Sequence, residues 1–211
     1  MPTRLPQEPS PAQTEERLAL TRIRHQLARY SPRVLAESVE LAHAAVALIL
    51  RETSGEAEVL VIWRAEQPGD PWSGHLGFPG GRVEPGDVSL DRTAVRETRE
   101  ELGICLDSCA RFLGRLSEIR ARSLSRMLPM SIIPFVCELV NPATQRLNGE
   151  VVKTRWIPLR YFLNRANRAT MSHPGDPTQT VSCYPLEDRA IWGMSLAMID
   201  ELLLDVLSAN P

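Results

Sequence analysis

From Thr14 to Tyr30 the apolar residues Leu18, Leu20, Ile23, Leu27 and Tyr30 recur at helical intervals, which predicts an amphipathic helix packed on the main domain or across a second copy of the chain. Ser31-Pro32 ends it, because the residue before a proline is pushed out of helical geometry. The pattern then changes. AHAAVALIL at 42–50 and VLVIW at 59–63 are nearly unbroken apolar runs separated by the turn-prone Ser54-Gly55, and they read as buried strands. Between Glu66 and Gly81 three prolines and five glycines mark an irregular loop. Pro85-Gly86-Asp87 supplies a further turn ahead of a helix with Ser89 or Asp91 as N-cap and Gly103 as its stop. ARFLGRL at 110–116, SIIPFVCELV at 131–140 and VVKTRWIPL at 151–159 read as strands, with Pro134 suggesting an edge or bulge. Arg120, Arg122 and Arg126 fall in the loop between the first two, and a last apolar helix runs from about Ile191 to Leu207 against the sheet. Strands and helices interleave, so the fold class is α/β: a mixed β-sheet sandwiched between α-helices. Residues 1–38 form a Pro-rich tail, four prolines in the first twelve positions, plus the amphipathic helix; residues 39–211 form the main domain.

The helix after Asp87 carries chemistry. At 3.6 residues per turn, Glu101 lies about 40° round from Glu97 and Glu100 about 60° the other way, so three carboxylates share one arc. Like charges so spaced weaken an isolated helix. A local rule broken without structural gain points to function, and clustered carboxylate oxygens suit a hard divalent cation such as Mg²⁺. A solvated charged face, helped by an Arg96–Glu100 pair, explains the carboxylates equally well when they are taken alone.

Composition narrows the surroundings. With 211 residues, 43% hydrophobic and 24% charged, the chain has the make-up of an ordinary globular protein. A formal net charge of −2 gives no footing for nonspecific binding to nucleic acid or anionic membranes. The four cysteines, Cys105, Cys109, Cys137 and Cys183, show neither a CxxC nor a paired zinc spacing, and a loop expected near Gly103 separates the first two from helical register. No apolar run is long enough to span a bilayer and no secretory signal opens the chain, so a cytoplasmic protein with reduced thiols is expected.

The segment PGGRVEPGDVSLDRTAVRETREELGI, residues 79–104, resembles the Nudix box, G-x5-E-x7-R-E-U-x-E-E-x-G-U with U aliphatic. Gly81, Arg96, Glu97, Glu100, Glu101, Gly103 and Ile104 match in order. The first acidic residue is Asp87, eight residues rather than seven before Arg96, and Thr98 replaces an aliphatic. The Asp and the longer spacing are similar to the coenzyme A pyrophosphatase branch, as are SIIPFVCEL, NGEVVKTRWIPL and IWGMSLAMIDELLLDVL. Ahead of the box that branch carries approximately T-R-S-x-x-L-R-x-H-x-G-x-x-x-F-P-G-G. WRAEQPGDPWSGHLGFPGG keeps Arg64, Gly74, Phe78, Pro79, Gly80 and Gly81 but replaces Leu-Arg-x-His with the residues at 69–73.

The resemblance implies a Nudix fold and divalent-metal-dependent hydrolysis of the pyrophosphate bond of coenzyme A or its derivatives, giving 3′,5′-ADP and 4′-phosphopantetheine. Mg²⁺ or Mn²⁺ would be held by Glu97, Glu100 and Glu101, with one of these or Glu150 taking the proton of water and Arg96 orienting the carboxylates. Gly80 and Gly81 would let the ligand approach the backbone. Arg64 and the three arginines at 120, 122 and 126 could neutralise a pyrophosphate. Trp72 could stack on substrate or anchor its loop; His75 could donate to a phosphate or to a backbone carbonyl; Glu150 could serve the metals or be a plain turn residue. The partner implied is a small nucleotide-containing pyrophosphate, with neither nucleic acid nor membrane, and the amphipathic N-terminal helix leaves a homodimer open. The changed 69–73 loop keeps ADP-ribose, NADH or a nucleoside diphosphate sugar open as substrate, and a non-catalytic nucleotide-sensing Nudix module is the alternative of another class.

Overall fold

The computed structural model describes residues 18–70, 72–123 and 126–207. The expected tail and the first turn of the expected N-terminal helix lie outside them. The first described helix, α1, spans Leu20–Leu27, and a 3₁₀ turn at Ser38–Glu40 leads into β1 (Ala42–Thr53) and β2 (Glu56–Arg64). Then come β3 (Leu76–Gly77), β4 (Gly80–Arg82), α2 (Leu90–Leu102) and the short α3 (Leu106–Cys109). β5 (Ala110–Arg115), β6 (Ile119–Ser123), β7 (Arg126–Leu139) and β8 (Val151–Pro158) complete one sheet, and α4 (Leu159–Leu163) follows. A second, three-stranded sheet holds β9 (Ala169–His173), β10 (Asp176–Leu186) and β11 (Arg189–Trp192). The described residues end with α5 (Gly193–Asp200), which continues into a π-helical stretch, Glu201–Val206.

The large sheet is mixed, as expected. β1 lies between β2 and β7, antiparallel to the first and parallel to the second from Ala42↔Met130 to Leu50↔Glu138. Successive side chains of a strand point to opposite faces, and the buried residues divide accordingly. Leu48 and Leu50 of β1 with Val59 and Val61 of β2 join α1 and α5 in one core. Ala47 and Ile49 with Leu60 and Ile62 join α2 in the other. Because both faces are covered by helices, these strands read as continuous apolar runs. Ser54 (φ 53°) and Gly55 (φ 77°) make the tight hairpin between β1 and β2.

α1 docks on its own chain. Leu20, Ile23 and Leu27 are buried in the core shared with α5, and Arg24 holds Glu138 of β7 at 2.8 Å. Beyond α1, the Tyr30 hydroxyl donates to Glu201 Oε1 at 2.7 Å, and the Ser117 backbone N–H donates to the same oxygen at 2.7 Å. One buried carboxylate thus ties the segment after α1, the β5–β6 turn and the C-terminal helix together.

Several expectations are corrected. Arg120 and Arg122 lie in β6 and Arg126 opens β7, not in a loop: β6 pairs antiparallel with β7 from Ile119↔Ile132 to Ser123↔Arg126, and backbone pairing overrides their polarity. Cys105 caps α3 and Cys109 ends it, with the Cys109 Sγ bonded to the Cys105 carbonyl at 3.0 Å, so a helical turn replaces the expected loop. β7 is internal, not an edge. Pro134 is tolerated because its partner on one side is the break between β5 and β6, where its carbonyl accepts from Leu116 N–H at 2.8 Å. The last helix begins at Gly193, since Ile191 and Trp192 pair with Tyr184 and Cys183 as strand β11.

Candidate active site

α2 begins at Ser89 and stops at Gly103, whose φ of 69° and N–H bond to Arg99 O form a left-handed cap. Its arginine organises the acids. Arg96 Nε and Nη2 each meet Asp87 at 3.1 Å, Nη2 donates to the Arg82 carbonyl at 2.9 Å, and Nη1 donates to Glu97 Oε1 at 3.0 Å and Glu100 Oε2 at 3.1 Å. Asp87 also accepts from Glu84 N–H and the Thr93 hydroxyl. These bonds, the Arg96 guanidinium first, hold its carboxyl well below the usual carboxylate range. The box aspartate is therefore a fastener for Arg96 and the turn before α2. Thr98, at the aliphatic position, is fully buried.

Glu101 and Glu97 face the short strand β4. Gly80 N–H donates to Glu101 Oε2 at 3.1 Å, and Arg64 Nη1 stands 3.8 Å from Glu101 Oε1. Only 2% of Glu101 is exposed. Burial pushes its carboxyl up to about 8, against the pull of Gly80 N–H and Arg64 and with added repulsion from Glu97 and Glu150. Glu97 is raised for the same reasons: desolvation first, opposed by Arg96, with Glu100 and Glu150 repelling it. Glycine is required beneath these acids. At Gly80 (φ 153°) a Cβ would stand 2.3 Å from the Ala45 carbonyl, and at Gly81 one would stand 2.2 Å from Glu97 Oε1. The close pairing of β4 with β1 at Val46↔Gly80 depends on the missing Cβ of Gly80, whereas the missing Cβ of Gly81 leaves room for the Glu97 carboxylate.

Glu100 differs from its neighbours. Its side chain is 54% exposed and Arg96 holds it. Among the described residues no three acidic, histidine or cysteine side chains converge into a ready cage, because Arg96 occupies Glu97 and Glu100. The donor set nevertheless fits a hard cation. Desolvated carboxylates that repel one another and bind protons too tightly are relieved by a divalent ion on the same oxygens. Glu150 begins the approach to β8 as an exposed turn residue, its N–H on Asn148 Oδ1 and its carbonyl accepting from Ala65 N–H, and it still adds repulsion at both Glu97 and Glu101.

Above Gly80 and Gly81 opens a cavity of about 750 Å³. Arg64, Trp72 and His75 line it with the two glycines, so the residues expected to bind substrate do meet there. Their contacts are specific. Arg64 Nη2 holds Asp70 Oδ2 at 2.7 Å. The Trp72 indole N–H donates to the Arg122 carbonyl at 2.8 Å, which fixes the ring in the wall. The His75 ring lies edge-on to Trp192 at 5.1 Å, and burial lowers its pKa. Of the three arginines expected near a pyrophosphate, Arg120 and Arg122 line the cavity; Arg126 is exposed at the start of β7.

The rest of the cavity comes from residues the sequence reading assigned no role in the site. Trp192 ends β11 and is also edge-on to His173 at 5.4 Å. Met194 and Ser195 of α5 line the same wall, and the Ser195 hydroxyl donates to the Leu76 carbonyl at 3.0 Å, locking α5 to β3. Arg189 Nη1 donates to the carbonyls of Arg64 and Gly74, stapling the loop to β2. IWGMS stood out as a segment shared with the coenzyme A branch, but its apolar character gave it to the core.

Comparison with known proteins agrees with this geometry. An uncharacterised protein of Schizosaccharomyces pombe is 39% identical over 108 residues, half of this chain and 33% of that protein. The mitochondrial coenzyme A diphosphatase of Homo sapiens is 28% identical over 170 residues, 79% of this chain and 70% of the relative. The peroxisomal coenzyme A diphosphatase of Caenorhabditis elegans is 34% identical over 134 residues, 60% and 53% of the respective lengths. The chain thus spans a third to about seven-tenths of these relatives. The family model described as NUDIX domain matches residues 41–174, from the start of β1 through β9, and the chain belongs to the Nudix family.

Proposed function

We infer that this protein is a divalent-metal-dependent pyrophosphohydrolase acting on coenzyme A or its derivatives, with 3′,5′-ADP and 4′-phosphopantetheine as products. The observation that carries the reading is the pair of buried carboxylates, Glu97 and Glu101, both raised in pKa by burial and packed against Gly81 and Gly80, the two glycines that also line a substrate-sized cavity. Two relatives named coenzyme A diphosphatases support the choice of substrate.

Glu97 and Glu101, joined by Glu100, would hold Mg²⁺ or Mn²⁺. Such ions, when bound, supply masking of the pyrophosphate charge, a lowered pKa for the attacking water and stabilisation of the leaving oxygen. The chain's own groups do the remainder. Gly80 and Gly81 let the pyrophosphate lie against the backbone, and Arg64 offers it positive charge. Glu150, exposed and close enough to repel both buried acids, or one of the box glutamates takes the proton of water. Arg96 orients Glu97 and Glu100 from behind and does not touch substrate. The free thiols of all four cysteines suit a reducing compartment such as the cytoplasm.

A second reading, hydrolysis of ADP-ribose, NADH or a nucleoside diphosphate sugar, is favoured by the Asp70–Arg64 ion pair, which reduces the positive charge available to a more anionic substrate. The intact carboxylates argue for an enzyme over a sensing module. The deciding experiment compares kcat/KM for coenzyme A, acetyl-coenzyme A, ADP-ribose, NADH and UDP-glucose with Mg²⁺ and with Mn²⁺. Coenzyme A or its acetyl derivative should lead. A tenfold advantage for ADP-ribose or UDP-glucose, about 1.4 kcal/mol of transition-state preference, overturns the reading.

A further inference from the structure

Four arginines line the cavity: Arg64, Arg82, Arg120 and Arg122. Their charges are not equally available. Arg64 is paired with Asp70 and approaches Glu101. Arg120 is paired with Glu37 at 3.1 Å and donates to the Leu128 carbonyl. Arg82 forms no ion pair among the described residues, but it follows Gly81 directly, so its charge acts beside the two glycines, where a pyrophosphate would lie.

Arg122 is likewise unpaired, but it is carried by β6, outside the stretch 79–104. Among the described residues it forms no ion pair, and its Nε meets only the Met127 thioether, at 3.0 Å. A thioether is a weak acceptor, so this contact positions the guanidinium without satisfying its charge. The backbone beneath it is pinned twice: its carbonyl accepts from the Trp72 indole, and its N–H meets Met194 Sδ at 3.4 Å. The cavity wall thus carries an exposed, unpaired guanidinium that leans on Met127 from a backbone fixed by Trp72 and Met194. Next to apolar groups a charge attracts an anion more strongly than it does in open water. The planar fork also matches phosphate oxygens.

The cavity therefore makes two demands for negative charge. One lies over Gly80 and Gly81, and the other on the wall carried by β6. A substrate whose only phosphates are the scissile pair can meet the first alone. We propose that Arg122 is a specificity-determining residue that binds a phosphate monoester on the substrate, separate from the scissile pyrophosphate. This rests on the coenzyme A reading, in which that group is the 3′-phosphate of the ribose.

The test compares coenzyme A with dephospho-coenzyme A, which lacks only that phosphate, in the wild type and in Arg122→Gln and Arg122→Lys, with ADP-ribose as a third substrate. The wild type should favour coenzyme A at least tenfold in kcat/KM, mainly through KM. Arg122→Gln should bring the ratio to within about twofold, and Arg122→Lys should keep part of it as a point charge without the fork. The anchoring bond from Trp72 uses the backbone carbonyl of residue 122, so neither variant removes it, and an unchanged melting temperature confirms the fold. If coenzyme A leads the panel but the ratio survives in Arg122→Gln, the assignment of Arg122 is wrong and the coenzyme A reading stands. If the wild type does not distinguish the pair, the proposal also fails. If ADP-ribose leads and coenzyme A is not cleaved, both readings fall together.

Discussion

The glycines at the floor of the cavity and the carboxylates of the adjoining helix α2 come from one continuous stretch, residues 79–104, whereas the far wall of the cavity gathers Trp72, Arg122, His173, Trp192 and Met194 from separate elements. At the floor, polar contacts fix each group to within a hydrogen bond: Arg96 on Asp87, Glu97 and Glu100, and Gly80 on Glu101. At the wall, packing and ring contacts dominate, with Trp192 held between His75 and His173. The difference teaches that the proposed catalytic groups are local in the chain, while the cavity wall that would select a ligand is assembled by tertiary structure. A floor of this kind can serve many pyrophosphates. A wall of this kind has to be rebuilt for each.

The comparison is tested first at the floor. Glu97→Gln and Glu100→Gln should each lower kcat by roughly 10²- to 10⁴-fold, by the same factor for every substrate and with little change in melting temperature. Steady-state kinetics on two substrates checks this, and a loss confined to one substrate would mean that the floor also selects ligands. The next effect in size falls on stability. Ile23 is fully buried in the core that α1 shares with α5, so Ile23→Ala should cost about 2–5 kcal/mol in denaturant unfolding. A cost under about 1 kcal/mol would show that α1 is not integral to the wall side of the fold.

Trp192→Ala is the corresponding wall variant. We expect kcat/KM for the preferred substrate to fall about tenfold through KM, with kcat nearly kept. A fall in kcat with KM unchanged would place Trp192 in the chemistry and erase the distinction between floor and wall. The smallest effect is a pH signature of the floor. Glu101 titrates near 8 when folded, above its unfolded value of 4.5. Its contribution to metal-free stability is therefore complete below 4.5 and lost as pH rises through 8. Asp87 has the opposite sign: its folded pKa is depressed, so its contribution holds above 3.8 and is lost as pH falls further. Melting curves in chelator from pH 5 to 8.5 should decline in the wild type and flatten in Glu101→Gln; equal slopes would remove burial as the cause.

The sequence revealed those parts in which local chemistry and local structure coincide. Gly103 marks the end of α2 because its left-handed backbone suits glycine, while Ser89 sits at the N-cap without a side-chain capping bond; β1, β2 and β7 are legible because a strand covered on both faces must be apolar throughout. The second sheet was not legible. β10 is exposed over most of its first half and carries Asp176, Thr178, Gln179 and Thr180, so its pattern is that of a loop until β9 and β11 supply the backbone pairing. Trp192 was assigned to the final helix for a related reason: IW and GMSLAMID form one apolar run, and only pairing of Trp192 with Cys183 divides it. Arg120 and Arg122 were misplaced because an arginine pair marks a loop in composition, while β7 offered them a ladder. Arg189 and Met194 bear on the cavity through contacts across 70 or more positions, to Gly74 and Arg122 respectively, which no window of sequence contains.

The shared hold of Tyr30 and Ser117 on Glu201 bears on how the molecule is made. The partners of the Tyr30–Glu201 bond lie 171 positions apart. While the chain is being synthesised, the whole catalytic stretch can emerge and pair with β1 long before the residue that fastens the β5–β6 turn exists. A nascent or prematurely terminated chain would carry every box glutamate and yet lack the closed wall, which forms only once α5 is made.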